Sequence, residues 1–295
     1  MTVKYAYYPG CSHEKTQRGY DESVREVFKA LDQELVEIDD WNCCGATMYM
    51  SVKETVSLAV SARNLALAER MGLDILAPCS SCFTTLSKTN RILNQIPEMH
   101  RDVNEALAEG GLSYSGKVRV RHPLDILMND IGLETVRARF RRNLNGLKIA
   151  PYYGCQIVRP DKTFDDRENP MLLDRLFGAC GGDVVYFPMK VRCCGGMLMT
   201  TFEDTALKLN KELLECALDN GADVMVTTCP LCHFNLEAYQ GKINNFYKTT
   251  FHVPIMYFTQ LLGIALGLPA KSLGLDSSFV PLGGKINSLA EAHYA

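Results

Sequence analysis

Two of the twelve cysteines in this 295-residue chain stand side by side in "WNCCGATM" (41 to 48), and two more do so in "VRCCGGML" (191 to 198). Neighbouring side chains diverge by about 100° around a helix and about 180° across a strand, so neither regular structure aims both thiols at one partner. Each pair is preceded by a single cysteine and followed by two more. The first half reads C-x31-CC-x34-C-x2-C through Cys11, Cys43, Cys44, Cys79 and Cys82; the second reads C-x37-CC-x34-C-x2-C through Cys155, Cys193, Cys194, Cys229 and Cys232. The last four positions recur at an offset of 150 residues and the leading cysteine at 144, the second copy being six residues longer between its first cysteine and its pair. Flanking residues repeat as well: "AYYPGC" answers "PYYGC", and "GLDILAPCSSC" answers "GADVMVTTCPLC". The chain is a duplication.

Five gathered thiols need a strong reason to stay together. Ionising one thiol of pKa about 8.5 at pH 7 costs roughly 2 kcal/mol, hence about 10 for five before mutual repulsion. A helix N-terminus returns about 0.3 to 1 kcal/mol and about 2 at best, so only metal bonds are large enough. A tetrahedral zinc site takes four ligands, which makes a zinc-stabilised scaffold the simplest alternative but leaves a fifth cysteine over in each half. Diverging neighbours can instead reach different irons of a polynuclear cluster. Gly45, Gly195 and Gly196 would let the backbone pass close to such a group and donate amides to its sulfurs. An ordinary cubane needs four thiolates, so the fifth implies either a non-cubane cluster or a thiol held for redox work.

The surrounding pattern predicts the elements that position these residues. β-rich runs at 3 to 11 and 147 to 155 end on the leading cysteines, and helical patterns follow at 22 to 31 and 170 to 179. Short strands at 34 to 39 and 183 to 188 lead to the pairs, and long helices are expected at 52 to 70 and 202 to 219. Buried strands "LDILAPC" and "DVMVTTC" then run into helices opened by each C-x2-C. Alternating strands and helices imply an α/β fold of two tandem repeated domains, each a small, mostly parallel sheet flanked by helices. The expected boundaries are 1–146 for the first cysteine-rich domain, 147–268 for the second and 269–295 for a C-terminal tail. Parallel sheets bind ligands beyond the carboxyl ends of their strands, so each half should gather its three cysteine elements in one crevice.

A composition of 47% hydrophobic and 22% charged residues is that of a globular protein with a sizeable core. Net charge −3 gives no electrostatic footprint for nucleic acid. The N-terminal "MTVKYAYYPG" lacks a secretory h-region, and "LLGIALGL" (261 to 268) is far short of a membrane span. A cytoplasmic location is therefore expected, where so many cysteines suit metal binding better than disulfides.

At these residues the sequence resembles the CCG-domain family, whose motif is a single cysteine, a CCG-like pair and a C-x2-C. The form it is most similar to is the B-type subunit of heterodisulfide reductase, with the glycine after the first pair (Gly45) resembling bacterial relatives more than the methanogen form. The resemblance implies a non-cubane [4Fe-4S] cluster on each set of five cysteines. It also implies a disulfide substrate between the two clusters, converted to two thiols by two electrons, or thiols and sulfur compounds oxidised in the reverse sense. Implied partners are a ferredoxin-like subunit of the C type with cubane iron–sulfur clusters and a flavin-containing subunit of the A type. The rival within the family is an electron-transfer subunit of a lactate-, glycolate- or quinone-linked oxidoreductase.

His13, two residues after Cys11, and His233, directly after Cys232, are candidate proton donors. Tyr7, Tyr8, Tyr152 and Tyr153 are expected to pack the core. Cys180 and Cys216 have no counterparts in the first half and read as buried thiols. "RARFRRN" (137 to 143) reads as a solvated helix face, and the tail as a segment that wraps a neighbouring subunit or stays loose.

Overall fold

The computed structural model describes residues 3–12, 17–46, 53–158 and 165–291. In the first half β1 (Lys4–Tyr7), β2 (Glu34–Glu37), β3 (Ile75–Leu76) and β4 (Val120–Arg121) form a parallel sheet in the order β2-β1-β3-β4. In the second, β5 (Lys148–Tyr152), β6 (Asp183–Val184), β7 (Val224–Thr227) and β8 (Ile255–Tyr257) form another in the order β6-β5-β7-β8. The register repeats with the sequence offset: Ala6 pairs with Ile75 and Ala150 with Met225. This is a two-domain α/β duplication, as the spacing predicts.

Parallel neighbours need crossovers. In the first half these are α1 (Arg18–Ala30), α2 (Glu54–Met71) and the consecutive α3 (Ser80–Gln95) and α4 (Pro97–Ala108). The short α5 (Pro123–Asp125), a π-helical stretch (Ile126–Gly132) and α6 (Leu133–Arg137) lead into the second half. There α7 (Leu172–Ala179), α8 (Glu203–Asp219), α9 (Pro230–Ala238), α10 (Gln240–Tyr247) and α11 (Phe258–Ala265) follow, and the tail ends in α12 (Gly284–Glu291). The expected helices are found within a few residues of their predicted bounds. The strand expected at 183 to 188 is shorter. After Val185 the chain leaves the sheet edge, exposes Tyr186 and turns through the Phe187 carbonyl toward the cysteine pair.

Side-chain alternation along the second sheet divides it between two cores. Ile149, Val224, Val226 and Met256 face a large core shared with the first half, whereas Ala150, Tyr152, Met225 and Ile255 face a smaller one under α8 and α9. The shared core joins the halves: α11 of the second packs on α1 of the first. The basic stretch 137 to 143 is largely exposed, as expected, but it runs past the end of α6 rather than along a helix face. Arg139 pairs with Asp32, and the Arg142 guanidinium donates to the Ala290 carbonyl at 3.1 Å. The tail packs on its own chain, with Gly274 against Gly19 and Lys285 bonded to Asp223 at 2.8 Å.

Candidate functional site

All ten repeated cysteines lie just beyond the carboxyl ends of strands, at the point where each sheet's winding reverses. Cys11 and Cys155 follow β1 and β5, the adjacent pairs follow β2 and β6, and Cys79 and Cys229 are the N-cap residues of α3 and α9. The glycine before each leading cysteine has a structural reason. Gly10 (φ +75) and Gly154 (φ +69) are left-handed, and a Cβ there would stand 3.1 Å from Cys82 Sγ and 3.0 Å from Cys232 Sγ.

In the first half the sulfurs form a row. Cys11 hydrogen-bonds Cys43, Cys43 bonds Cys44, Cys44 bonds Cys82, and Cys82 bonds Cys79. In the second, Cys155 bonds Cys193, the Cys194 and Cys232 sulfurs lie 3.4 Å apart, and Cys232 bonds Cys229. Cys11 and Cys43 are exposed and Cys79 is buried, so the first row runs from surface to interior. Such proximity divides the thiols into donors and acceptors. The Cys43 thiol is held well below its usual range by bonds from Cys11 and Cys44, and Cys194 is lowered by Cys232. The Cys11 and Cys155 thiols are raised by the neighbours that accept from them and by burial. Only added positive charge would make all five thiolates at once.

Repeated supports set the pairs in place. The Tyr8 hydroxyl donates to the Asn42 carbonyl at 2.7 Å, and Tyr152 donates to the Arg192 carbonyl at 2.8 Å, each one residue before its pair. Backbone amides turn toward the sulfurs: Gly45 toward Cys43, Ala46 toward Cys44, Gly195 toward Cys193 at 3.3 Å and Gly196 toward Cys194. Gly45 (φ +81) and Gly195 (φ +89) are left-handed, which the amide turn requires. Each half adds a side-chain donor of its own, Ser81 on Cys79 and Asn235 Nδ2 on Cys194 at 3.6 Å.

The two rows meet at the interface between the halves. Tyr20 donates toward the carbonyls of Pro78 (3.1 Å) and Thr228 (3.3 Å), the residues just before Cys79 and Cys229. The Ser80 hydroxyl also reaches the Thr228 carbonyl at 2.9 Å, and His122 Nε2 lies 2.9 Å from the Pro78 carbonyl. The Tyr20 ring stacks on Tyr257 (4.1 Å between centroids), which stacks on His233 (4.2 Å). Tyr20, Ser80, His122 and Tyr257 carried no signal as site residues in the sequence. His122 and Tyr257 are the N-cap residues of α5 and α11, matching strand-to-helix turns of the two halves.

His13 lies outside the described residues. His233 is buried and stays neutral, its pKa pushed down to about 3 by desolvation, with a ring N–H on the Ile255 carbonyl and Nδ1 3.5 Å from Glu237. Tyr7, Tyr8, Tyr152 and Tyr153 are fully buried. Cys180 is buried, its thiol raised to about 12 by desolvation, and Cys216 is partly buried.

The donor set fits a polynuclear iron–sulfur group: contiguous sulfurs, backbone amides turned to them and glycines where a side chain would intrude. Among the described residues, no three His, Cys, Asp or Glu side chains are arranged to clasp a single ion. Comparison with known proteins agrees with this geometry. Residues 5–87 and 149–237 each match the CCG cysteine-rich domain. The chain belongs to this family. It is 34% identical over 281 residues to a protein of Archaeoglobus profundus that is itself like the B-type subunit of heterodisulfide reductase, covering 92% of this chain and 94% of the relative. It is 33% identical over 282 residues to the 8-methylmenaquinol:fumarate reductase membrane anchor subunit of Wolinella succinogenes, covering 95% and 98%. It is 30% identical over 282 residues to the B-type subunit of the ferredoxin:CoB-CoM heterodisulfide reductase of Methanosarcina mazei, covering 94% of each. A hypothetical protein from Helicobacter pylori shares the fold, with a TM-score of 0.77 at 17% identity over 96% of this chain; the match spans about half (53%) of that longer chain. Among the described residues no helix is long and apolar enough to cross a membrane.

Proposed function

We propose that this chain is the two-centre iron–sulfur subunit of a multisubunit oxidoreductase. In this reading Cys11, Cys43, Cys44, Cys79 and Cys82 hold one [4Fe-4S] cluster, and Cys155, Cys193, Cys194, Cys229 and Cys232 hold the other. The five-thiolate donor sets favour non-cubane forms. The substrate is a disulfide reduced between the two centres, or thiols oxidised to one. The observation that carries the reading is the convergence of the Pro78 and Thr228 carbonyls on one Tyr20 hydroxyl, which sets a cysteine of each row beside a common interface. Each cluster, when bound, would supply a one-electron centre. Cleaving one S–S bond takes two electrons and two protons and yields two thiols, so paired centres match its stoichiometry.

The chain's own residues supply position and shelter. Tyr8 and Tyr152 hold the paired-cysteine loops, the glycine amides face the sulfurs, and the two cores exclude water from Cys79 and Cys229 respectively. His13, two residues after the exposed Cys11 in the sequence, is the proton donor this reading retains, while His233 braces the Cys232 helix against Tyr257. Electrons would enter from a cubane iron–sulfur subunit of the C type and originate in a flavin subunit of the A type.

The likeness to a menaquinol:fumarate reductase subunit favours a second reading, in which the same centres pass electrons without breaking an S–S bond. Anaerobic iron and acid-labile sulfide analysis, followed by turnover with a panel of disulfides and a reduced carrier, separates the readings. Iron and sulfide for two clusters with disulfide turnover supports the first. Electron passage without disulfide turnover supports the second. Zinc near two per chain with negligible iron would overturn both.

A further inference from the structure

The interface between the rows contains a side chain whose bonding is divided between the halves. Tyr20 is completely buried, and its ring is fixed by the near-parallel stack on Tyr257, with 2° between planes. That stack leaves the hydroxyl little freedom. The hydroxyl has one proton and two carbonyls in reach. Each carbonyl belongs to the same peptide unit as the backbone nitrogen of a cluster-row cysteine, Pro78 with Cys79 and Thr228 with Cys229. Each also accepts from other side chains, His122 on both and Ser80 on Thr228, so neither depends on Tyr20 alone for satisfaction. The Tyr20 proton is thus redundant as a filler of carbonyl valence. His122 spans the same two carbonyls through its buried imidazole, and Tyr20 is the hydroxyl that joins them through one oxygen atom.

We propose that Tyr20 is a positioning residue that fixes the separation of Cys79 and Cys229 and provides, beside His122, a hydrogen-bonded link through which the two redox centres communicate. The route runs from Cys79 through its own backbone nitrogen to the Pro78 carbonyl, across the Tyr20 hydroxyl to the Thr228 carbonyl, and through the nitrogen of Cys229 to its sulfur. Hydrogen-bond networks are among the contiguous physical chains that carry coupling between sites. This inference rests on the two-cluster reading, and it adds that the centres act as a coupled pair. An electron arriving at one half is shared with the other before the second electron arrives.

Electron paramagnetic resonance on the full chain, chemically reduced so that both halves are paramagnetic, tests it, with iron and sulfide measured on the same samples. The unmodified protein is expected to show a resolved spin–spin splitting. Tyr20→Phe keeps the ring and its stack and is expected to retain both clusters while the splitting shrinks. Ser80→Ala removes the other hydroxyl on Thr228 and is expected to leave the splitting in place. The proposal is overturned by absence of splitting in the unmodified protein, by an unchanged splitting in Tyr20→Phe with full iron, or by loss of one cluster in Tyr20→Phe. An equal loss of splitting in Ser80→Ala also overturns it. Absence of iron and sulfide from the unmodified protein defeats the underlying two-cluster reading instead.

Discussion

The two halves place their sulfurs alike and support them differently. In the first, the residues before the pair are "DDWN": Asp40 pairs with Arg63 at the surface, and a concavity of about 550 Å³ bounded by Glu37, Asp39, Trp41 and Cys43 opens beside them. In the second they are "MKVR": the Lys190 ammonium is buried, 2.8 Å from Asp174 and 3.1 Å from the Pro170 carbonyl. The Lys190 carbonyl also accepts the amides of Tyr153 and Gly154, so this one residue ties the leading-cysteine loop to the paired-cysteine loop. The leading cysteines differ accordingly, Cys11 being exposed and Cys155 half-buried. Sulfur positions follow from strand ends, which the duplication preserved. The bracing of loops around them was free to diverge, and the second half carries the buried version.

The comparison breaks most visibly if the rows are not independent metal sites. Cys44→Ser and Cys194→Ser should each abolish the cluster of their own half and leave the other, so iron falls to about half in either variant. A full, spectroscopically normal complement in both would remove the reason for adjacent cysteines. In stability, Lys190→Met should be the costliest of these support changes, at about 3 to 5 kcal/mol, because it leaves the largely buried Asp174 carboxylate without its charged partner. Its first-half counterpart, Asp40→Asn, breaks an exposed pair and should cost about 0 to 1 kcal/mol by denaturant unfolding. Comparable costs would show that the halves are braced alike.

His122 sharpens the comparison through pH. Burial lowers its pKa from 6.5 to about 4, so between those values the unfolded chain binds a proton that the folded chain does not. Stability should therefore rise with pH across that window, by about 3 kcal/mol in all from this group. His122→Gln should flatten that rise in unfolding curves recorded from pH 4 to 6.5. An unaltered slope would mean that the ring is not desolvated as described. The smallest expected effects come from Tyr8→Phe and Tyr152→Phe. Each loses one hydroxyl bond to the carbonyl before its pair, about 1 kcal/mol. Equal losses support equivalent loops, and a larger one marks the half that leans more heavily on its tyrosine.

Much of this arrangement was legible before folding because it repeats. Strands buried on both faces, such as "VMVT", and cysteines just past their ends placed the α/β class and the crevices, since strand direction fixes where a parallel sheet can bind. The shortening of β6 was not legible, because its chain leaves the sheet edge after Val185 for the cysteine-pair loop while its neighbour β5 runs on to Tyr152, and nothing in a β-rich run records that departure. Nor did the basic stretch before the second half announce its partners, Asp32 and the Ala290 carbonyl, which are over a hundred residues away in the chain.

The sequence alone determined how many sulfurs each half gathers and at which strand ends, because spacing and strand order are local properties that survive duplication. Tertiary structure alone decided how the halves meet. Tyr20 has no counterpart in the second repeat, and its hydroxyl joins Pro78 and Thr228 only because α1 packs against α11 over a shared core. An interface between two copies buries surfaces that need not resemble each other, so comparing the copies could not reveal it.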